Sequence, residues 1–481
     1  MHRRRRLGAL ANGDGNKAVI PFVGTGVGRL CRRAPKPLGA ALAFTLALAF
    51  VPQPAAAQSV SPQLAAAIKS AGGDRDIRAF YKARQYRPLW VRGSGLGPEA
   101  DMLLELIETA HVEGLDPDDY QPRAIASAID RSRGGSPKAL AKADMLLSRT
   151  FANYVRDVRR PADVDMVYVD RELAPSRPNE QALLQAAASA PSLMQHLSSI
   201  GWMHPIYGKL RTALASGYQQ GGSSQTAKRD EMLRVNLERA RTLPTSQVGR
   251  YVLVDTASQR LWMYENGRVQ DSMRVVVGKS SQATPMMAGL MRYTLVNPYW
   301  NLPPDLVPSR VAQPYLKQGI KHLKAKRFEV LSDWSDNPRV LDPKQVDWKA
   351  VAAGRQELPV RQLPGKDNAM GQMKFMFPND LGIYLHDTPE RELLKKADRR
   401  FSSGCVRLED APRLAKWLYG KPLTVRPGGT EKRVDLEQPV PVYITYLTAM
   451  PEGQTIVYRS DVYNRDGAQL ASLGMGRRGA R

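Results

Sequence analysis

Between residues 58 and 218, apolar residues recur at the three-to-four spacing of a helix. Leu103, Leu106, Ile107 and Ala110 fall on one face, and so do Leu147, Phe151, Tyr154, Val155 and Val158. Leu183, Leu184, Leu193 and Leu197 mark a third helical stretch. Gly114 stops one helix and Asp116-Pro117 starts the next, since glycine accepts the left-handed terminal turn and Asp-Pro suits a helix start. The pattern predicts a helical scaffold over 58–218. A Gly/Ser/Gln-rich linker at 219–227 opens a connecting segment, 219–248, whose helix over 230–241 puts Leu233, Leu237 and Ala240 on one side.

From Arg250 the period changes to two. Tyr251-Val252-Leu253-Val254 and Leu261-Trp262-Met263-Tyr264 read as strands. Asn266-Gly267 tolerates the positive φ of a type I′ turn and leads to a third strand carrying Val269, Met273, Val275 and Val277. Strand-like segments recur at 291–296, 373–377, 383–386, 423–425, 442–445 and 456–458. The expected fold is α+β: a helical scaffold packed on a mixed, mainly antiparallel β domain over 249–466. Residues 303–365 are Pro-rich, charged and partly helical. An insertion of that length inside a sheet domain suits a lid. The Gly/Arg-rich tail, 467–481, is expected to be flexible.

Composition narrows the class. The 481 residues are 24% charged and 43% hydrophobic, which excludes collagen, whole-chain disorder and a multi-span membrane protein. Residues 1–57 run from a basic stretch ending at Lys36 into an apolar run over 38–51. Pro52 and Pro54 break that run, and Ala55-Ala56-Ala57 follows. Basic, then apolar, then small is the order of a secretory signal peptide, and the run is shorter than the ~20 residues a spanning helix needs. An uncleaved anchor is the alternative. With Gln58 as the first mature residue, the processed protein is expected not to be an integral membrane protein. Nine basic residues against Asp14 give the leader +8 of the formal +24, leaving +16 beyond it. An exported chain rarely meets nucleic acid. Cell-wall polymer or an anionic surface fits the charge better, and a merely solvated basic surface fits best.

Export also changes the cysteine arithmetic. Cys31 leaves with the leader, so Cys405 is the single mature cysteine and has no internal disulfide partner. It is a bridge to another chain, an inert thiol or a nucleophile. The six histidines are scattered, no ligand spacing for a metal is present and no glycine-rich phosphate loop follows a strand, so no metal and no cofactor are expected. His111, His196 and His204 read as helix caps or gap fillers. His386 ends the segment Ile383-Tyr384-Leu385-His386, nineteen residues before Cys405. A thiol is a good nucleophile only as thiolate, and a neighbouring imidazole can take its proton. Gly404 lets the backbone approach a carbonyl, and the N–H groups at Gly404 and Cys405 can face a developing oxyanion. Arg407 adds positive charge, either to the chemistry or to a salt bridge that shapes the loop.

The residue order excludes papain-like enzymes, in which cysteine precedes histidine. Sortases run His, Cys, Arg, but their Thr-Leu-x-Thr-Cys strand is absent. Leu385-His386-Asp387-Thr388-Pro389, with Arg400-Phe401-Ser402-Ser403-Gly404-Cys405-Val406-Arg407-Leu408, resembles the active-site signature of L,D-transpeptidases with a YkuD-type catalytic domain, and most of all the YcbB-like Gram-negative branch. Asn236-Leu237-Glu238-Arg239, residues 273–279, Asn297-Pro298-Tyr299-Trp300-Asn301, Lys374-Phe375-Met376-Phe377-Pro378-Asn379 and residues 441–446 are similar to that branch as well. The similarity covers about 230–465 closely and 75–218 more loosely. Ser403 stands where many members have histidine, as is common in this branch. The small peptidoglycan-binding module of many relatives is replaced by the short linker.

The resemblance implies a periplasmic enzyme forming 3→3 cross-links between diaminopimelate residues of peptidoglycan stem peptides. Cys405 is the implied nucleophile, His386 the proton carrier and Gly404 an oxyanion donor. Arg407 and Ser403 support the motif. Tyr299, Trp300, Tyr384 and Asp387 are candidate substrate-binding residues, and the 303–365 insertion is placed to close over the donor stem and hold water out. It also implies acylation by carbapenems. Water as acceptor would give an L,D-carboxypeptidase, and a protein amine would give attachment of a protein to the wall. A silent wall-binding scaffold would be expected to have lost Cys405 or His386. Other wall-synthesis proteins are possible partners.

Overall fold

The computed structural model describes residues 61–219, 224–245, 249–335 and 337–476. The expected leader, its cleavage point and the last five residues lie outside them.

The helical region is built around the 22-residue helix Pro137–Val158, which buries Leu147, Phe151, Tyr154, Val155 and Val158. Helices Glu99–Glu108, Glu180–Ser189 and Leu193–Ser198 turn the expected apolar faces onto it. Gly114 adopts φ 79°, and the Asp116 carboxylate caps the next turn by accepting from Asp118 N at 3.0 Å. The connecting helix runs from Ser224 to Ala240 and so begins inside the stretch expected to be linker.

Eight strands pair into a closed ring: β1 Arg250–Asp255, β2 Arg260–Glu265, β3 Arg268–Gly278, β4 Met287–Val296, β5 Met373–Met376, β6 Leu385–His386, β7 Val406–Leu408 and β8 Lys432–Thr445. The order around it is β5-β6-β7-β3-β2-β1-β8-β4, and β4 pairs again with β5 through Val296↔Met373. Pairs β6–β7 and β1–β8 are parallel, and the rest are antiparallel. Asn266 and Gly267 take φ 48° and 74°, as the hairpin between β2 and β3 requires.

The strands are apolar on both sides because both sides are covered. Val252, Val254, Leu261, Met263, Met273, Val275 and Val277 point into the ring, where helix Ala411–Tyr419 adds Leu414 and Leu418. Tyr251, Leu253, Tyr264 and Tyr443 point out and join the helical core. Scaffold and sheet therefore share one apolar core within a single compact unit, Gln58–Arg481. Tyr251 and Tyr264 stack at 4.6 Å, and His204 meets the Tyr251 hydroxyl at 2.9 Å on this boundary.

The insertion is a folded subdomain that starts slightly earlier than expected. Trp300–Asn301, Val360–Gln362 and Phe328–Val330 form a three-stranded antiparallel sheet. Helices Gln313–Gln318, Ile320–Lys326 and Trp348–Ala352 surround it. Leu302, Val311, Leu323, Trp348 and Val360 give it a core of its own.

Two expectations are corrected. Residues 423–425 form no strand: Leu423 and Val425 lean on the ring core but have no ladder partner, between Pro422 and Pro427. The tail is not flexible at its start, because Asp466–Gly476 is a helix. Asp466 is held by Arg239 at 2.6 Å and Thr448 Oγ1 at 2.7 Å, and Gln469 and Ser472 donate to Asp163. Composition did not show these distant anchors. No helix among the described residues is long and apolar enough to cross a membrane.

Candidate active site

Cys405 follows a tight loop between the short strand Arg400–Ser402 and β7. Thr284 Oγ1 pins the loop, donating to the Gly404 carbonyl at 2.7 Å and accepting from Gly278 N at 2.9 Å. Ser402 Oγ donates to the Cys405 carbonyl at 2.6 Å and accepts from Gly404 N at 3.2 Å. Gly404 has φ 116°, and a Cβ there would lie 3.1 Å from Ile383 Cδ1. The glycine is required by conformation and by crowding. Its amide is committed to Ser402, whereas the Cys405 amide makes no hydrogen bond among the described residues.

The register places the base. His386 lies opposite Lys374 across β5 and beside Arg407 across β7. Asn379 clamps the preceding turn, donating to the carbonyls of Phe377 and Ile383 at 2.7 Å each. The His386 ring is buried and its Nδ1 lies 2.5 Å from the Asp387 carbonyl, so Nδ1 carries the proton and Nε2 the lone pair. Burial pushes the His386 pKa down to about 3, the Arg407 and Lys374 charges add to this, and the Asp387 and Met370 carbonyls oppose it. Burial likewise pushes the Cys405 thiol up, against the Tyr384 amide, Lys374, the Tyr384 hydroxyl and Arg407. The resting pair is thus thiol and neutral imidazole. The thiol donates to the Gly382 carbonyl at 3.5 Å, so it must turn to reach a base.

A cleft of about 680 Å³ opens over this pair. Cys405, His386, Tyr384, Ser403 and Arg407 form its sheet wall, while Trp300, Arg310, His322, Lys326 and Phe328 bring the insertion to the opposite wall. Arg407 is ion-paired with Glu390, also at the cleft, so its loop-shaping reading is observed beside its position near the thiol. Leu381 and Phe401 are exposed at the mouth.

Two candidates are not where substrate would lie. The Tyr299 ring sits under the Arg361 guanidinium at 4.4 Å and is outside the cleft wall. Asp387 is buried, accepts from Gln372 N at 2.9 Å and pairs with Arg391 at 2.5 Å. A Cβ at Gly371 would lie 2.4 Å from its carboxylate, so Asp387 fills space behind the cleft. The sequence reading gave no role to Lys374, Thr284 or Ser402. Alternation along β5 marks Lys374 as facing away from Met373 and Phe375, but no pattern announced a long-range contact such as Thr284 to Gly404. Among the described residues, no cluster of His, Cys, Asp and Glu could hold a metal.

Comparison with known proteins agrees with this layout. Residues 75–214 match the scaffold domain family and residues 249–444 the L,D-transpeptidase catalytic domain family. A Haemophilus influenzae protein provisionally named an L,D-transpeptidase is 27% identical over 399 residues, covering 81% of this chain and 78% of its own. Among solved structures, the Ldtfm–avibactam carbamoyl enzyme is 11% identical, covering 62% of this chain and 96% of its own at a TM-score of 0.21. A cysteine-to-serine mutant of an Enterococcus faecium L,D-transpeptidase is 12% identical, covering 62% and 99% at a TM-score of 0.19.

Proposed function

Since the chain carries an L,D-transpeptidase catalytic domain behind a scaffold domain, we propose that it forms 3→3 cross-links between peptidoglycan stem peptides through a thioester on Cys405. The observation that carries this reading is the cleft itself, with Cys405 and a neutral His386 on one wall and a folded insertion as the other. In the first half-reaction, Cys405 Sγ bonds to the carbonyl carbon of the third stem residue as His386 takes the thiol proton. The bond to the terminal D-Ala then breaks, and His386 gives that proton to the departing amine. The unpaired Cys405 amide is the oxyanion donor, with Gly404 providing clearance. In the second, the side-chain amine of diaminopimelate on another stem attacks the thioester, the Sγ–C bond breaks and the acceptor's proton returns to sulfur through His386. Trp300 and Tyr384 line the bound peptide. The insertion wall favours an amine held in place over water. Export by residues 1–57 to the periplasm and acylation by carbapenems belong to the same reading.

Mass spectrometry of disaccharide-tetrapeptide incubated with the mature protein tests it, beside Cys405→Ala. A dimer lacking one terminal D-Ala, absent with the variant, is the expected product. Tripeptide monomer alone would replace the reading with L,D-carboxypeptidase, and a product containing a lipoprotein lysine with protein attachment. No turnover and no adduct with a carbapenem would remove the nucleophile assignment.

A further inference from the structure

Lys374 is a cation beside the site that is held by its strand and not by a carboxylate. It lies in the middle of β5, paired to Leu295 on one side and His386 on the other, so the backbone fixes its position tightly. Its side chain leaves the strand opposite the core-facing Met373 and Phe375 and is only partly exposed. The ammonium rests 3.7 Å from the centroid of the Tyr384 ring. Among the described residues it makes no ion pair within 4 Å, whereas the buried Arg211, Arg239 and Arg241 each hold a carboxylate. Leaving a half-buried ammonium on a ring face alone is costly, unless an anion forms beside it.

The surroundings point to which anion. Glu431 is within electrostatic reach, but its carboxylate accepts from Tyr299 N at 2.8 Å and also faces Arg361, which pairs with Glu329 of the insertion. The other partner is Cys405, which lines the cleft together with Tyr384, the residue whose ring carries the ammonium. Lys374 does not line the cleft, so it stands behind Tyr384 and away from substrate.

We propose that Lys374 is a positioning residue that holds the Cys405 thiolate, acting directly by its charge and through the Tyr384 ring on which it rests. The groups acting on Cys405 are then Lys374 from β5, Tyr384 from the approach to β6 and Arg407, with its partner Glu390, from β7, while His386 lines the same cleft. Glu431 faces Lys374 from behind. Two cations share the thiolate, and both also disfavour an imidazolium at His386. The imidazole is thereby kept neutral, with Nε2 free to accept the proton that the acceptor amine releases once it has bonded to the carbonyl carbon. The inference rests on Cys405 being the nucleophile and not on the identity of the acceptor.

The test is the pH dependence of Cys405 alkylation by iodoacetamide in the mature protein, which reads the thiolate without any peptidoglycan substrate. Lys374→Met is expected to move the inflection upward by about one pH unit, giving roughly tenfold slower alkylation at pH 7.5. Lys374→Arg keeps the charge and is expected to keep the inflection. Glu431→Gln, which frees Lys374 from its competitor, is expected to move it downward and stands as the reading should Lys374→Met fail to fold. An unchanged inflection in Lys374→Met, or equal upward shifts in the Met and Arg variants, overturns the proposal. Intact alkylation profiles with no cross-linked dimer would instead count against the transpeptidase reading alone.

Discussion

The helical region buries Glu113 under the hydroxyls of Tyr154 and Tyr207 and beside the Arg211 guanidinium, with Nε at 3.4 Å. It buries Asp144 under the Tyr81 hydroxyl and the amides of Leu89 and Trp90. Glu238 is held by Arg160 at 3.0 Å and Arg241 at 2.9 Å. The sheet region holds its buried Asp255 in the same way, with the Leu447 and Ser258 amides at 2.7 and 2.9 Å, but treats the groups of its cleft otherwise. His386 is held at Nδ1 by a backbone carbonyl, the Cys405 thiol donates one long hydrogen bond to the Gly382 carbonyl, and Lys374 has a ring instead of a carboxylate. Carboxylates held on both oxygens fix a scaffold and leave no acceptor free to react. Underused partners cost stability and leave lone pairs and charge available where a substrate enters.

The sharpest way to separate the two regions is to remove one group from each. Cys405→Ala is expected to abolish acylation, a loss of at least about 10⁴-fold, which is more than about 5 kcal/mol of transition-state stabilisation. Its melting temperature should stay within about 1 °C, because a thiol makes only weak hydrogen bonds. Carbapenem adduct formation by intact mass and a thermal melt check both halves. Glu113→Ala should do the reverse. It leaves Arg211 and two buried hydroxyls without their acceptor, for about 3–5 kcal/mol of stability and a melting point lower by about 3–6 °C. Activity per folded molecule should hold. If Glu113→Ala instead lowered the acylation rate with the melt unchanged, the two regions would not divide structure from chemistry in this way.

What could be read from the chain follows the same division. Periodicity exposed the scaffold faces and the β1–β3 meander because those positions are apolar for a local reason. The motif exposed Cys405, His386 and the crowded Gly404 because the chemistry needs those residue types in one short stretch. The polar half of β8 was missed: it carries Lys432, Arg433 and Asp435 on an exposed run that pairs with β4 before a register shift at Asp435. Strand pairing there is set by the partner and not by alternation. The same holds for the Asp466 helix, whose anchors at Arg239 and Thr448 are far away in sequence, and for Thr284 beneath Gly404. Tyr299 and Asp387 look like site residues because they flank the motifs, yet each sits just outside a short strand and is held elsewhere, Tyr299 by Arg361 and Asp387 by Arg391.

Acid strikes both regions through one residue type. Burial holds the pKa of both His204 and His386 at about 3, against about 6.5 in the unfolded chain. Between those values the unfolded state binds one more proton per histidine. Stability from each is therefore complete above about pH 6.5 and is lost as pH falls toward 3, at about 1.4 kcal/mol per pH unit. His204→Gln should be less stable than the parent at pH 7.5, and the gap should narrow by about 1.4 kcal/mol for each unit below 6.5 in urea melts. Parallel curves would mean that His204 titrates in the folded protein as it does in the unfolded chain. In the parent, kcat/KM should show no acid limb near pH 6.5, since the His386 base stays neutral there.

The smallest effect tests the boundary between site and support most finely. Asp387 adjoins the catalytic histidine in sequence, but its carboxylate packs against Gly371 and pairs with the half-exposed Arg391. Asp387→Asn keeps the shape and an acceptor for Gln372 N while removing the ion pair. Because Arg391 is solvated, the loss of stability should be no more than about 1 kcal/mol. KM for a tetrapeptide donor should be unchanged, and kcat should fall less than about threefold, since the His386 Nδ1 contact is to the backbone carbonyl and survives the substitution. A large rise in KM with an unchanged melt would put the carboxylate in contact with substrate and move Asp387 across that boundary.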